Sequence, residues 1–228
     1  MSASARNFDT AVVFDFGGVL TTSPREALRR WAESAQVDPT SFHTVMQSWM
    51  SRNATPDNPV HRMERGQITG TEFNAALGDL LVTDTGQPLG SANHLEQIFE
   101  LIQPEPTMHK ILERLRDSGI GIALLSNSWD NEYPDDLLSI FDAVVLSGET
   151  GMRKPDHEIF LLTLERLGVG AEQAIMVDDN RHNIAAAQEL GMAGILHTSP
   201  AATLQQLYET FPDPNLRQFF NSPKGETL

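Results

Sequence analysis

The sequence predicts an α/β protein, a doubly wound parallel sheet whose first strand is separated from the others by an all-helical insertion. Three observations carry this. The run "AVVF" at residues 11–14 is short, apolar and unalternating, as in a strand buried on both faces. Residues 23–103 keep a helical period with no alternating stretch. From Pro106 onward, apolar runs of strand length alternate with segments of helix length. The chain of 228 residues is long enough for a core with a modest insertion. The expected division is a core of residues 1–22 and 104–228 and a helical cap over 23–103.

The elements follow in order. "PREALRRWAESAQ" (24–36) opens a helix with proline at its first position, and "DPTSFHTVMQSWMSRN" (38–53) places Phe42, Val45, Met46 and Trp49 at helical spacing. "NATPDNPVH" (53–61) has loop composition, and "TGTEFNAALGDLLV" (69–82) is a helix with Thr71 as the expected cap. "SANHLEQIFELIQ" (91–103) is a further helix, punctuated by Pro104 and Pro106. Trp31, Trp49 and Phe42 are expected in the core of this block. Beyond it come a helix at 106–119, the strand "IGIALLSN" (120–127), a helix around "DDLLSIF" (135–141) and the strand "AVVLS" (143–147). A helix at 156–168, the strand "AIMVDD" (174–179), a helix at 181–191 and the strand "AGILH" (193–197) complete the alternation. The end, "FPDPNLRQFFNSPKGETL" (211–228), reads as a docked turn and a frayed terminus.

Charge and composition narrow the function. With 16 Lys and Arg against 31 Asp and Glu, the net charge of −15 disfavours nucleic acid or an anionic membrane as partner and suits a divalent cation. The absence of cysteine excludes disulfides, thiolate zinc sites and a cysteine nucleophile. "MSASARNFDT" lacks the apolar segment of a secretory signal, and no run of about 18 apolar residues occurs. A cytoplasmic protein, monomeric or homodimeric, is the expectation, and the sequon Asn53-Ala54-Thr55 reads as chance.

The chemistry gathers where strands end. Asp15 stands at the carboxyl end of the first strand, the edge where open α/β sheets bind ligands, and Gly17 and Gly18 allow a sharp turn and close backbone approach. Ser126 and Asn127 end the next strand, Asp178 and Asp179 end "AIMVDD", and Lys154 precedes a proline and a helix. Each alone is ordinary turn or cap chemistry. Together they suit phosphoryl transfer. Asp15 would attack phosphorus to form an aspartyl phosphate. Mg²⁺ would be held by carboxylate oxygens of Asp15 and Asp179 and the Gly17 carbonyl. Gly17, Gly18, Ser126, Asn127 and Lys154 would surround the phosphate oxygens, Lys154 offsetting their charge, with Asp178 and Asn183 acting from behind. The substrate would be a small phosphorylated metabolite.

"FDFGGVL", "LLSNS", "RKPD" and "MVDDNRHNI" resemble, in order, the four motifs of the haloacid dehalogenase superfamily, in its branch with a helical cap after the first motif. The resemblance covers almost the whole chain. It implies a Rossmann-like core, an aspartyl nucleophile and, in most members, Mg²⁺-dependent phosphomonoester hydrolysis. "DNPVHRMERGQITGTEF" (57–73) also resembles a segment of capped members, and its Arg62 and Arg65 are candidates to meet a second anionic group on the substrate.

One position departs from the pattern. Family phosphatases usually carry a second Asp two residues after the nucleophile, and here that position is Gly17, so side-chain acid catalysis worth ~10²–10⁴-fold is lost. Three explanations stay open: substrates with low-pKa leaving groups, a proton from water or from His43 or His61 of the cap, or binding without turnover. A regulatory binder is the non-enzymatic alternative. A haloacid dehalogenase would need neither acid nor metal, but such enzymes usually carry an aromatic residue there, and Asp178 with Asp179 would be out of place without a cation.

Overall fold

The computed structural model describes residues 8–51, 54–129 and 133–210, so Asn53 of the sequon and the turn expected at 211–228 lie outside the described residues. Strand β1 (Ala11–Phe14) leads into helices α1 (Pro24–Ser34), α2 (Pro39–Met50), α3 (Pro59–Glu64), α4 (Gly70–Leu80) and α5 (His94–Glu100). There follow α6 (Pro106–Asp117), β2 (Gly121–Ser126), α7 (Asp135–Leu138), β3 (Ala143–Leu146), α8 (Ser147–Thr150) and α9 (His157–Leu167). The described chain closes with β4 (Ala174–Asp178), α10 (Arg181–Glu189), β5 (Ala193–Leu196) and α11 (Pro200–Thr210).

The five strands form one parallel sheet in the order β3-β2-β1-β4-β5. β1 is central because both its faces are apolar. Val12 and Phe14 pack with Met108, Leu112 and Leu207 of α6 and α11, while Val13 packs with Phe160 and Ala187 of α9 and α10 on the opposite face. A separate cluster built on Leu28, Trp31, Trp49, Phe73, Leu77 and Ile98 holds α1 to α5 together, with Phe42 partly buried against it. The register places Phe14 level with Leu124 and Val177, so the residues after β1, β2 and β4 emerge together at one edge.

The structure corrects several boundaries. Residues 59–64, read as loop and linker, form α3. Asn58 is its cap, accepting from the His61 N–H at 3.0 Å, and Pro59 is its first residue. The same residue types that mark a loop also start a helix. Helix α4 is capped by Thr69 rather than Thr71, in a box where Thr69 Oγ1 accepts from the Glu72 N–H and Glu72 accepts from the Thr69 N–H. Helix α5 is shorter than the periodic run, β3 stops at Leu146 and Ser147 starts a helical turn, and α11, unassigned from sequence, buries Leu204 and Leu207 against the sheet. Isolated bridges Val37–Thr83 and Val82–Pro88 interrupt the otherwise helical segment. Among the described residues no helix is long and apolar enough to cross a membrane.

Candidate active site

Asp15, Ser126 and Asp179 line one cleft of about 1200 Å³, with Gly17, Asn127, Lys154 and Asn183. Strand ends set their positions. Asp15 continues the ladder through its N–H to the Val177 carbonyl at 2.9 Å, and Ser126 closes β2. Gly18 has φ +83, and a Cβ there would lie 2.5 Å from Asp179 Oδ2. The motif needs glycine here both for its left-handed backbone and for the approach of Asp179.

Lys154 is the hub. Its Nζ donates to Asp15 Oδ1 at 2.8 Å and to Asp178 Oδ2 at 2.7 Å, and the whole residue is only 1% exposed. Such a buried ammonium is tolerable only because carboxylates surround it. Burial alone would lower its pKa, but Asp15 and Asp178 raise it, so the group stays charged. Asp178 accepts from Asn183 Nδ2 at 3.0 Å on both oxygens and from the Asn180 N–H at 2.8 Å. It is fully buried and spent on holding Lys154 and α10. Asn127 accepts from the Lys154 N–H at 2.8 Å and donates to the Lys154 carbonyl at 3.1 Å. Its carboxamide therefore clamps the lysine's backbone, and the phosphate contact expected in this stretch falls to the Ser126 hydroxyl and the neighbouring backbone N–H groups.

Asp15 uses Oδ1 for both Lys154 and the Phe16 N–H at 2.7 Å, while no hydrogen bond to its Oδ2 is found among the described residues. Burial pushes its carboxyl up to about 7 against the lowering pull of Lys154, with Asp178 and Asp179 adding to the rise. Burial and Asp178 also raise Asp179. The cause is a charge imbalance. Oxygens of Asp15, Asp178 and Asp179 all lie within 4.8 Å of one another, and among the described residues Lys154 is the one ammonium paired with Asp15 and Asp178. Three carboxylates around one buried ammonium, with Arg25 acting on Asp179 from the cleft wall, are an oxygen donor set suited to a hard divalent ion. With Asp178 engaged, Asp15 and Asp179 are the carboxylates left for it.

The other candidates separate cleanly. Ser126 sits in the cleft, its Oγ accepting from the Tyr133 hydroxyl at 2.9 Å, and Tyr133 packs edge-on against Phe16. His61 lines the cleft, whereas His43 is exposed and does not. Burial, Arg153 and Arg65 lower His61 to about 4, so its ring is neutral at physiological pH, and its buried Nδ1 has no hydrogen-bond partner among the described residues. Arg62 is exposed away from the cleft, and Arg65 is committed to Asp156 at 3.2 Å. The sequence missed Arg153, which lines the cleft and pairs with Glu64 of α3 at 2.6 Å, and Trp129, whose Nε1 reaches the same carboxylate at 3.5 Å. Only its place beside Lys154 could have marked Arg153. It missed Pro24 too, which packs on Gly17.

The model of the haloacid dehalogenase-like hydrolases matches residues 10–191. The chain belongs to this family of hydrolases. Similar proteins include the sesquiterpene phosphatase astK of Aspergillus oryzae, 29% identical over 86% of this chain and 94% of its own. A phosphorylated carbohydrates phosphatase of Thermotoga maritima is 29% identical over 82% of this chain and 86% of its own. Mouse acyl-CoA dehydrogenase family member 10 is 30% identical over 86% of this chain, which spans only 18% of that protein. Among solved structures, a HAD-family enzyme of Bacteroides thetaiotaomicron complexed with magnesium and inorganic phosphate superposes with a TM-score of 0.61 at 22% identity, over 82% of this chain and 92% of its own. A HAD-like hydrolase of Porphyromonas gingivalis gives 0.64 at 21% identity, over 87% and 97%. Both share the haloacid dehalogenase fold.

Proposed function

We propose that this hydrolase is a Mg²⁺-dependent phosphatase of small phosphorylated molecules, acting through an aspartyl phosphate on Asp15. The observation that carries this is the placement of Asp15 in an open cleft with one oxygen fixed by Lys154 and the Phe16 N–H and the other without a hydrogen bond among the described residues. A carboxylate so held is oriented for attack, and its paired lysine supplies positive charge beside the phosphoryl oxygens. The phosphatase activities named for the Aspergillus and Thermotoga relatives, and the magnesium and phosphate of the Bacteroides enzyme, support the same reading.

Asp15 and Asp179, with the Gly17 carbonyl, would hold the ion, which would screen the carboxylates from the incoming phosphate. Asp15 Oδ2 attacks phosphorus as the bond to the leaving oxygen breaks. Ser126 and Lys154 bind the phosphoryl oxygens. Asp178 and Asn183 fix the Lys154 ammonium, and Asn127 fixes its backbone. Water then attacks phosphorus, releasing inorganic phosphate and restoring Asp15. The leaving oxygen finds no carboxylic acid at position 17, so it departs as a stable anion or takes its proton from water.

The helical segment serves as the cap. Its two connections run side by side: the Thr22 N–H donates to the Gln103 carbonyl at 2.8 Å and the Glu105 N–H to the Leu20 carbonyl at 2.8 Å. This supports a core of residues 1–22 and 104–228 hinged to a cap of 23–103.

The test is Asp15→Asn assayed on a panel of phosphate esters with and without Mg²⁺. The expected result is hydrolysis by the native protein only with the ion and a loss of at least ~10³-fold in the variant with the fold kept. Equal rates in the two proteins would overturn the assignment, and release of halide from haloacids without metal would replace it with dehalogenation.

A further inference from the structure

The cleft has two chemically unlike sides. At the sheet edge lie Asp15, Lys154 and Asp179. From the cap and the segment after β2, with Arg25, Ser51, His61 and Glu64 among the polar members, the cleft is lined by Trp49, Met50, Val60, Phe99, Ile102 and Trp129. These are backed by an aromatic array in which Trp129 lies 5.8 Å from Phe73 and 6.5 Å from Phe99, and Trp49 lies 5.7 Å from Phe73. Such an array is packed before any ligand arrives.

Two of the charged groups on this side are spent on each other. Glu64 and Arg153 bind each other at 2.6 Å, and Trp129 Nε1 turns to the same carboxylate. His61 lines the cleft, but its Nδ1 is buried from solvent. Each hydroxyl of a polyhydroxylated body set against Trp49, Phe99, Ile102 or Trp129 would lose water without a matching partner, at a cost of roughly ten-fold in affinity or more. An apolar body would gain about four-fold for each methylene buried.

Building on the phosphatase reading, we propose that the cleft selects phosphate monoesters whose leaving group is an apolar chain or ring system, and discriminates against sugar and polyol phosphates. The phosphate lies on the Lys154 side and the hydrocarbon extends toward Met50, Phe99 and Ile102. The Glu64–Arg153 pair crosses from α3 to the Lys154 loop, so the two charges offset each other within the lining.

The experiment uses ligands that cannot be hydrolysed, so that it does not depend on turnover. Binding of n-octylphosphonate, of a polyol phosphonate of matched length and of methylphosphonate to the full chain with Mg²⁺ is measured by calorimetry. Octylphosphonate is expected to bind at least 100-fold more tightly than the polyol, and Phe99→Ser to reduce that ratio by about ten-fold. Equal affinities, tighter binding of the polyol, or no binding of octylphosphonate would overturn the proposal. If Phe99→Ser does not fold, the native comparison decides alone. Tight octylphosphonate binding by a protein that hydrolyses no ester would refute the phosphatase reading and leave the apolar selectivity standing.

Discussion

Gly17 and Pro24 pack so closely that a Cβ on Gly17 would lie 2.7 Å from Pro24 Cγ and 3.3 Å from its Cδ. Position 17 thus lacks an acid and is also sealed by the first residue of α1, where a rigid ring starts the helix. Restoring the family's second Asp by Gly17→Asp alone is expected to cost about 1–3 kcal/mol from overpacking and to give no gain in rate. The pair Gly17→Asp with Pro24→Ala makes room, and should recover most of the stability while accelerating alkyl phosphate hydrolysis about 10–100-fold, aryl phosphates less. Thermal melts and steady-state rates of both variants check this. A fully active and stable single variant would refute the steric account.

Asn127 spends both ends of its carboxamide on the peptide groups of Lys154. Asn127→Ala removes both bonds, leaves a polar backbone segment beside the cleft without them, and releases the lysine that orients Asp15. Stability should fall by about 1–3 kcal/mol and kcat by about 10–100-fold, with KM changing less. Steady-state kinetics and urea unfolding separate the two effects. A loss confined to KM would mean that the Asn127 side chain touches the substrate rather than positioning Lys154.

The sheet was legible because buried parallel strands are apolar on both sides, as "AVVF" and "AIMV" are, and because polar residues follow each of them. Asp15, Ser126 and Asp179 were legible for the same reason, since a polar group that ends an apolar run faces something other than the core, whereas Lys154 was marked only by its place before a proline and a helix. Helix α3 was not, because Asn58 and Pro59 start helices and loops alike. The partners that tune the site were hidden in the long-range contacts. Nothing local pairs Glu64 with Arg153 across 89 residues, or sets Pro24 on Gly17. Asn127 showed its place but not which way its amide faces.

His61 supplies a pH test. Burial and the charges of Arg153 and Arg65 hold its folded pKa at about 4, below the ordinary 6.5. Between those values the unfolded chain takes up a proton that the folded protein refuses, so this contribution is present above pH 6.5 and is lost as pH falls toward 4. His61→Gln should therefore lose less stability than the native protein between pH 7 and pH 5, as urea melts at each pH would show. Parallel profiles would mean that the ring is protonated freely in the folded state.

Asp179 tests the ion. It stands with Asp15 and Asp178 around a single ammonium, so removing one carboxylate should relieve repulsion in the metal-free protein and raise its Tm. Added Mg²⁺ should do the reverse for the two proteins. It stabilises the native chain by about 2.7 kcal/mol at a hundred times its Kd, roughly 5–10 °C in Tm, and does little for Asp179→Asn. The opposite signs matter, because a residue that merely supports the fold would lower Tm with or without the ion. Equal Mg²⁺ shifts in the two proteins would remove Asp179 from the metal site and leave the charge imbalance around Lys154 without its counterion.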